Sequence, residues 1–206
     1  MAGMDAWKAR WKGRVPGLSG CRHRYAVLCP LAEIDGEPHF LFEVRAASLN
    51  RQPGEVCFPG GEAGPGEEAA ACALRETWEE LHIAPEHVAV LGLSDFLCFP
   101  SKFLLQPVVG ILAPEGLREL APSPDEVAGT FTAPVSFFAS TPPDVPAYSL
   151  EPRLPEDFPY ETAGISRTYR WGRGSVDVPI WRYREHVIWG MTARIIRDLL
   201  AEMQNS

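Results

Sequence analysis

Basic residues are in short supply. The chain of 206 residues has 19 Lys and Arg against 27 Asp and Glu, a formal net charge of -8. A nonspecific grip on nucleic acid needs a cationic face, so none is expected. The deficit does not exclude a small anionic substrate, because a bound divalent cation reverses the sign locally. Cysteines are few and odd in number. Cys21, Cys29, Cys57, Cys72 and Cys98 lie far apart with no CxxC pair, which argues against a disulfide framework or a zinc site and suits a reducing cytosol. No stretch approaches the roughly 20 apolar residues that span a membrane, and "MAGMDAWKARWKGRVPG" does not read as a secretory leader. There is no evident internal repeat. The expectation is a cytoplasmic protein with neither membrane nor nucleic acid as partner.

What is present suits one domain with a real core, since 46% of the residues are apolar. "MDAWKARWK" predicts a short helix, with Trp7 and Trp11 on one face and packed on the domain. "RYAVLCPLAEI", "DGEP" and "HFLFEVRAA" predict a strand, a turn and a partner strand. "VAVLGLSDFLCF" and "LLQPVVGILA" are further strand candidates. "SPDEVAGTFTAPVSFFAS" reads as a turn, a strand and a short helix. Residues 142–160 are proline-rich and predict a loop with little regular structure. "ISRTYRW" and "VDVPIWRY" predict a late hairpin around "GRGS". "EHVIWGMTARIIRDLLAEM" predicts a closing helix. Mixed strands with about three helices predict an α/β sandwich rather than a doubly wound fold.

One segment carries an electrostatic problem. "GEEAAACALRETWEELHI" follows the glycine-rich "FPGGEAGPG". At roughly 100° per residue, Glu76, Glu79 and Glu80 fall within about one third of the helix circumference, with Arg75 on the flank. Ala71, Leu74, Trp78 and Leu81 form an apolar stripe on the other side, predicted to pack on the core. Glu67 and Glu68 are expected in the first turn, and Pro85 beyond the last. Like charges at i, i+4 destabilise an exposed helix by about 0.2–0.5 kcal/mol each. A hard cation turns that repulsion into coordination. The glycine loop adds backbone that can come close to a metal or a diphosphate.

Gly61, five residues, Glu67, seven residues, then Arg75-Glu76-Thr77-Trp78-Glu79-Glu80-Leu81-His82-Ile83 resembles the Nudix box, GX5EX7REUXEEXGU. Thr77 stands where a bulky aliphatic is usual, and His82 where glycine is usual. The resemblance implies a Nudix-type α/β/α sandwich with a mixed sheet and a loop-helix-loop catalytic motif. It implies a single domain over 1–206, with 1–20 a helical extension and 142–180 a loop-rich insertion. It also implies metal-dependent hydrolysis of a nucleoside diphosphate linked to another moiety. Glu76, Glu79 and Glu80 are then the ligands of Mg²⁺ or Mn²⁺, helped by the Gly61 region, and one of them or a distal glutamate handles the attacking water. Arg75 braces the cluster by pairing with Glu67 or Glu79. Glu126 stands where some members carry an additional glutamate; a solvated turn residue is the alternative.

"LFEVRAASLNRQPGEVCFPGG" resembles the stretch before the box in the coenzyme A diphosphatase branch, through Arg45, Leu49, Gly54, Val56, Phe58, Pro59, Gly60 and Gly61. Asn50 replaces an expected arginine. "VIWGMTARII" resembles the same branch. The implied reaction splits coenzyme A into phosphopantetheine and 3′,5′-ADP. Arg45 and Arg51 are candidates for phosphate contact, with Gly60 and Gly61 beside them. Trp189 and Met191 either line a pantetheine channel or, the preferred reading, belong to the core. Hydrolysis of ADP-ribose, a nucleotide sugar or an oxidised nucleotide, and a non-catalytic nucleotide-binding module, are the alternatives. A homodimer is left open.

Overall fold

The apolar run from Tyr25 and its partner around Phe40–Val44 form a hairpin. It is closed by Asp35 and Gly36, both at positive φ (53° and 78°). That is the backbone a tight two-residue turn between twisted strands requires. The computed structural model describes residues 3–15, 17–99 and 102–204. Its elements begin with α1 (Met4–Trp11), β1 (His23–Ile34), β2 (Glu37–Arg45), β3 (Val56–Cys57), β4 (Gly60–Glu62) and α2 (Ala69–Leu81). They continue with β5 (Val88–Leu93), β6 (Leu97–Cys98), β7 (Phe103–Leu112), α3 (Pro114–Glu119), β8 (Val127–Pro134) and α4 (Val135–Ser140). The last are β9 (Ala147–Leu150), α5 (Tyr160–Ala163), β10 (Gly174–Asp177), β11 (Ile180–Tyr183), β12 (His186–Trp189) and α6 (Gly190–Gln204).

Eight strands make one mixed sheet with the path β3-β2-β1-β7-β5; β4 pairs with β1, β6 with β7 and β8 with β2. β1 and β7 run parallel, and the other pairings are antiparallel. Successive side chains of a strand point to opposite faces, so β2 feeds two cores. Phe40 and Phe42 join Phe58, Phe138, Ile188 and Ile196 on one side. Leu41 joins Leu28, Cys72, Ala73, Leu81 and Val108 on the other. The first layer is closed by α6 and the second by α2, which gives the expected α/β/α sandwich. Among the described residues no helix is long and apolar enough to cross a membrane.

Three local expectations are corrected. The predicted late hairpin does not form: residues 165–171 make no strand, and 176–183 are split between β10 and β11. β10 pairs instead with β9, inside the proline-rich segment, and β11 pairs with β12. The cause is in the turns: Arg184 takes φ 53° between β11 and β12, and Gly190 at φ 62° ends β12 before the closing helix starts. That helix therefore begins at Gly190 rather than at Glu185. Trp7 and Trp11 do not pack on the domain. Both are over half exposed and no residue of α1 is buried.

Candidate active site

The glycine loop and α2 are locked together by backbone that admits no side chain. Gly60 (φ 155°) lies where a Cβ would stand 2.3 Å from the Ala26 carbonyl oxygen. A Cβ on Gly61 would stand 2.4 Å from the Glu76 carboxyl carbon. These two glycines let β4 lie against β1 and let the Glu76 carboxylate press on the loop backbone. The Gly60 N–H donates to Glu80 Oε2 at 2.8 Å. Small residues at Ala69, Cys72 and Ala73 bring α2 close to the sheet.

That approach corrects part of the predicted packing of the helix: Leu81 and Leu74 pack on the core as expected, but Ala71 and Trp78 do not. The buried residues of α2 are Ala69, Cys72, Ala73, Thr77, Glu80 and Leu81, whereas Trp78 is 45% exposed. Glu80 thus lies on the buried face and is only 4% exposed. Trp78 instead leans on His82, with ring centroids 5.5 Å apart. The small residues explain the rotation, since an indole on the sheet side would hold the helix away. The helix also starts later than expected. Glu68 is its N-cap and makes no side-chain cap, while Glu67 precedes it and accepts from the Gly64 N–H at 2.7 Å. His82 ends it in the left-handed conformation, φ 56°, which is why glycine suits that position. Thr77, fully buried, donates to the Ala73 carbonyl at 2.7 Å and so brings its hydroxyl in satisfied.

Arg75 gathers the remaining carboxylates. Its Nε and Nη2 donate to Glu67 at 2.9 and 3.1 Å, and its Nη1 donates to Glu76 at 2.7 Å and to Glu79 at 3.1 Å. The Arg75 guanidinium, with the Gly64 N–H, pulls the Glu67 pKa down to about 2. Burial pushes Glu76 upward despite Arg75. Burial and the neighbouring Glu43 push Glu80 upward more strongly, opposed by the Gly60 N–H.

The loop after α3 returns to the helix end. The Ala121 and Ser123 N–H groups cap the Leu81 and Glu80 carbonyls at 2.9 and 2.8 Å, which satisfies acceptors that a helix terminus leaves open. Glu126 follows, and its carbonyl accepts from the Ala46 N–H at 2.8 Å. The outcome is one cleft of about 700 Å³. Glu76, Glu80 and Glu126 line it together with Gly60 and Gly61; Arg45 and Arg51 line its rim. Trp189 and Met191 also line it. Trp189 is 43% exposed, so the preference for a core role is corrected. Glu79 and Arg75 are not among the residues lining the cleft, so the predicted ligand Glu79 is not brought to it with Glu76 and Glu80; Glu79 is more exposed than Arg75.

Sequence reasoning missed Glu43, which is 1% exposed in mid-β2 and accepts a hydrogen bond from the Cys57 thiol at 3.1 Å. Its signal was a carboxylate directly after the buried run Phe40-Leu41-Phe42, on a strand covered on both faces. As the side chains stand, no three His, Cys, Asp or Glu among the described residues converge on a metal-sized point. The donor set is nonetheless that of a hard divalent cation: several carboxylate oxygens, and a buried Glu43 Oε2 without a hydrogen-bond partner among the described residues.

Residues 22–138 match the family model for the NUDIX domain. The chain belongs to the Nudix family. It is a hydrolase of phosphoric anhydrides, as that membership and its relatives' names indicate. An uncharacterized Nudix hydrolase, NudL, of Photorhabdus laumondii is 36% identical over 91% of this chain and 88% of its own length. The human mitochondrial coenzyme A diphosphatase NUDT8 is 30% identical over 82% of this chain and 65% of its own. The mouse peroxisomal coenzyme A diphosphatase NUDT7 is 38% identical over 56% of this chain, which spans about half of that enzyme (49%). A solved MutT/nudix family protein from Enterococcus faecalis shares the fold, with a TM-score of 0.54 and 12% identity over 99% of this chain and 70% of that one.

Proposed function

We propose that this Nudix hydrolase is a divalent-metal-dependent diphosphatase acting on coenzyme A or a close derivative, giving phosphopantetheine and 3′,5′-ADP. The observation that carries the reading is the cleft itself. It joins a carboxylate floor (Glu76, Glu80, Glu126) to two arginines (Arg45, Arg51) and an apolar wall with Trp189 and Met191. A diphosphate with a phosphorylated nucleoside at one end and a long thin chain at the other has matching chemistry. The relatives named as coenzyme A diphosphatases support the substrate class.

In this reading Glu76, Glu79 and Glu80 hold Mg²⁺ or Mn²⁺ with the Gly61 carbonyl, and Glu126 contributes from the facing loop. When bound, the cation supplies charge neutralisation of the diphosphate oxygens and a more acidic water. The chain's own residues do the rest. Arg75, joined to Glu67, Glu76 and Glu79, holds these carboxylates in place beside the loop, where they would be available to the ion. The Gly60 N–H fixes one Glu80 oxygen and leaves the other for the site. Arg45 and Arg51 orient phosphate oxygens, where a planar guanidinium is well matched. The whole chain is read as one cytoplasmic domain, with residues 1–20 an extension and 142–180 an insertion on it.

The test is to incubate the purified protein with Mg²⁺ or Mn²⁺ and, separately, coenzyme A, acyl-coenzyme A, ADP-ribose and NADH, resolving products by mass. Phosphopantetheine or its acylated form, with 3′,5′-ADP, is the expected pair. Turnover of ADP-ribose without turnover of coenzyme A overturns the substrate; no turnover of any of them favours a binding module.

A further inference from the structure

Glu43 has no task in the reaction as described, yet its surroundings are those of a functional group. Its register partners, Cys57 in β3 and Thr130 in β8, share its face of the sheet. The next residues of β2 on that face are Leu41, in the core beneath α2, and Arg45, on the cleft. Glu43 therefore sits where the α2 core gives way to the active site. The charges that act on it are those of the site: Arg45, Glu126 and Glu76. It is in turn the strongest charged influence on Glu80.

Its hydrogen bonding is incomplete. Oε1 has the Cys57 thiol at 3.1 Å, a weak donor, and Oε2 has no hydrogen-bond partner among the described residues. Buried carboxylates are ordinarily paired with cations or several N–H groups. A purely structural role at this point of β2 is better served by an apolar or neutral side chain. The cost is understandable if the missing partner is a cation that enters later. Hard divalent ions take six or more oxygen ligands, and the glutamates of α2 supply only some of them.

We propose that Glu43 is a further carboxylate of the metal centre, its free Oε2 helping to hold the divalent cation beside Glu80. The proposal rests on the metal-dependent reading of the cleft and extends it to a strand outside the Nudix box. It also gives the Cys57 thiol a role: by donating to Oε1, it turns the second oxygen toward the site.

The experiment uses the full chain and Mn²⁺ alone, with free ion counted by electron paramagnetic resonance. Wild type, Glu43→Gln and Glu43→Met are compared, and each is also melted in EDTA. Methionine keeps nearly the volume of the side chain without its oxygens, so it serves if the glutamine variant does not fold. Mn²⁺ affinity is expected to fall about tenfold or more, as for other disrupted metal shells. The metal-free melting temperature is expected to rise, because an unpaired buried charge has been removed. Unchanged affinity overturns the proposal and leaves the metal-dependent reading standing. No Mn²⁺ binding by wild type overturns both. Weaker binding with a lower metal-free melting temperature makes Glu43 a structural prop and also overturns it.

Discussion

Glu80 is held in a state that water would not choose. It is buried, faces the negative charge of Glu43 and keeps one strong hydrogen bond, from Gly60. Its pKa is raised, so between its ordinary value of 4.5 and the raised one the folded state binds more protons than the unfolded state. Over that window stability falls as pH rises. Without metal, the urea midpoint is expected to drop between about pH 5 and about pH 9, with Glu43, raised to about 7, adding to the lower part of the slope, and Glu80→Gln is expected to flatten its upper part. An upper slope that survives in Glu80→Gln assigns it elsewhere. Glu67 has the opposite sign. Arg75 holds its pKa at about 2, so its contribution is complete above 4.5 and is lost as pH falls toward 2. The box glutamates were legible as a group because their spacing is a pattern in the chain. Glu43 was legible only as a carboxylate after an apolar run; that it is buried depends on β3 and β8 pairing on either side of it.

At the scale of elements, α2 shows where reading along a helix succeeds and where it stops. The carboxylates do share one side, but the side that packs is set by the small residues Ala69, Cys72 and Ala73 rather than by Trp78. Hydrophobicity alone favoured the indole; steric approach to the sheet favoured the alanines. The same limit explains the late strands. β9 and β10 are separated by residues 151–173, so their pairing is a long-range event that no local turn announces. Local chemistry was legible at His82, a departure from glycine that the structure puts at φ 56°. Relief of that conformation by His82→Gly is expected to stabilise the protein by about 0.5–1 kcal/mol, less any loss of the contact with Trp78. Chemical denaturation measures it, and a destabilised variant would mean that the ring contact outweighs the backbone.

Across the whole molecule, the cleft is a joint between two layers. Its carboxylates belong to the α2 side of the sheet and its apolar wall to the α6 side. The general architecture was readable from strand and helix periodicities; the joint was not, because it is made of contacts between residues distant in the chain. One such contact is Thr192 Oγ1 donating to the Val56 carbonyl at 3.1 Å, buried, which ties the start of α6 to β3. Thr192→Val keeps the shape and removes the donor, so the carbonyl loses its side-chain partner at about 1–3 kcal/mol. The chemistry sits on the other layer, so the loosened wall should weaken substrate binding in ground and transition states alike. In steady-state kinetics on the substrate that turns over, KM is expected to rise while kcat stays within about twofold. A fall in kcat equal to the fall in kcat/KM would mean that the two layers are coupled through β3, whose Cys57 touches Glu43, and that α6 reaches the reacting groups through that strand.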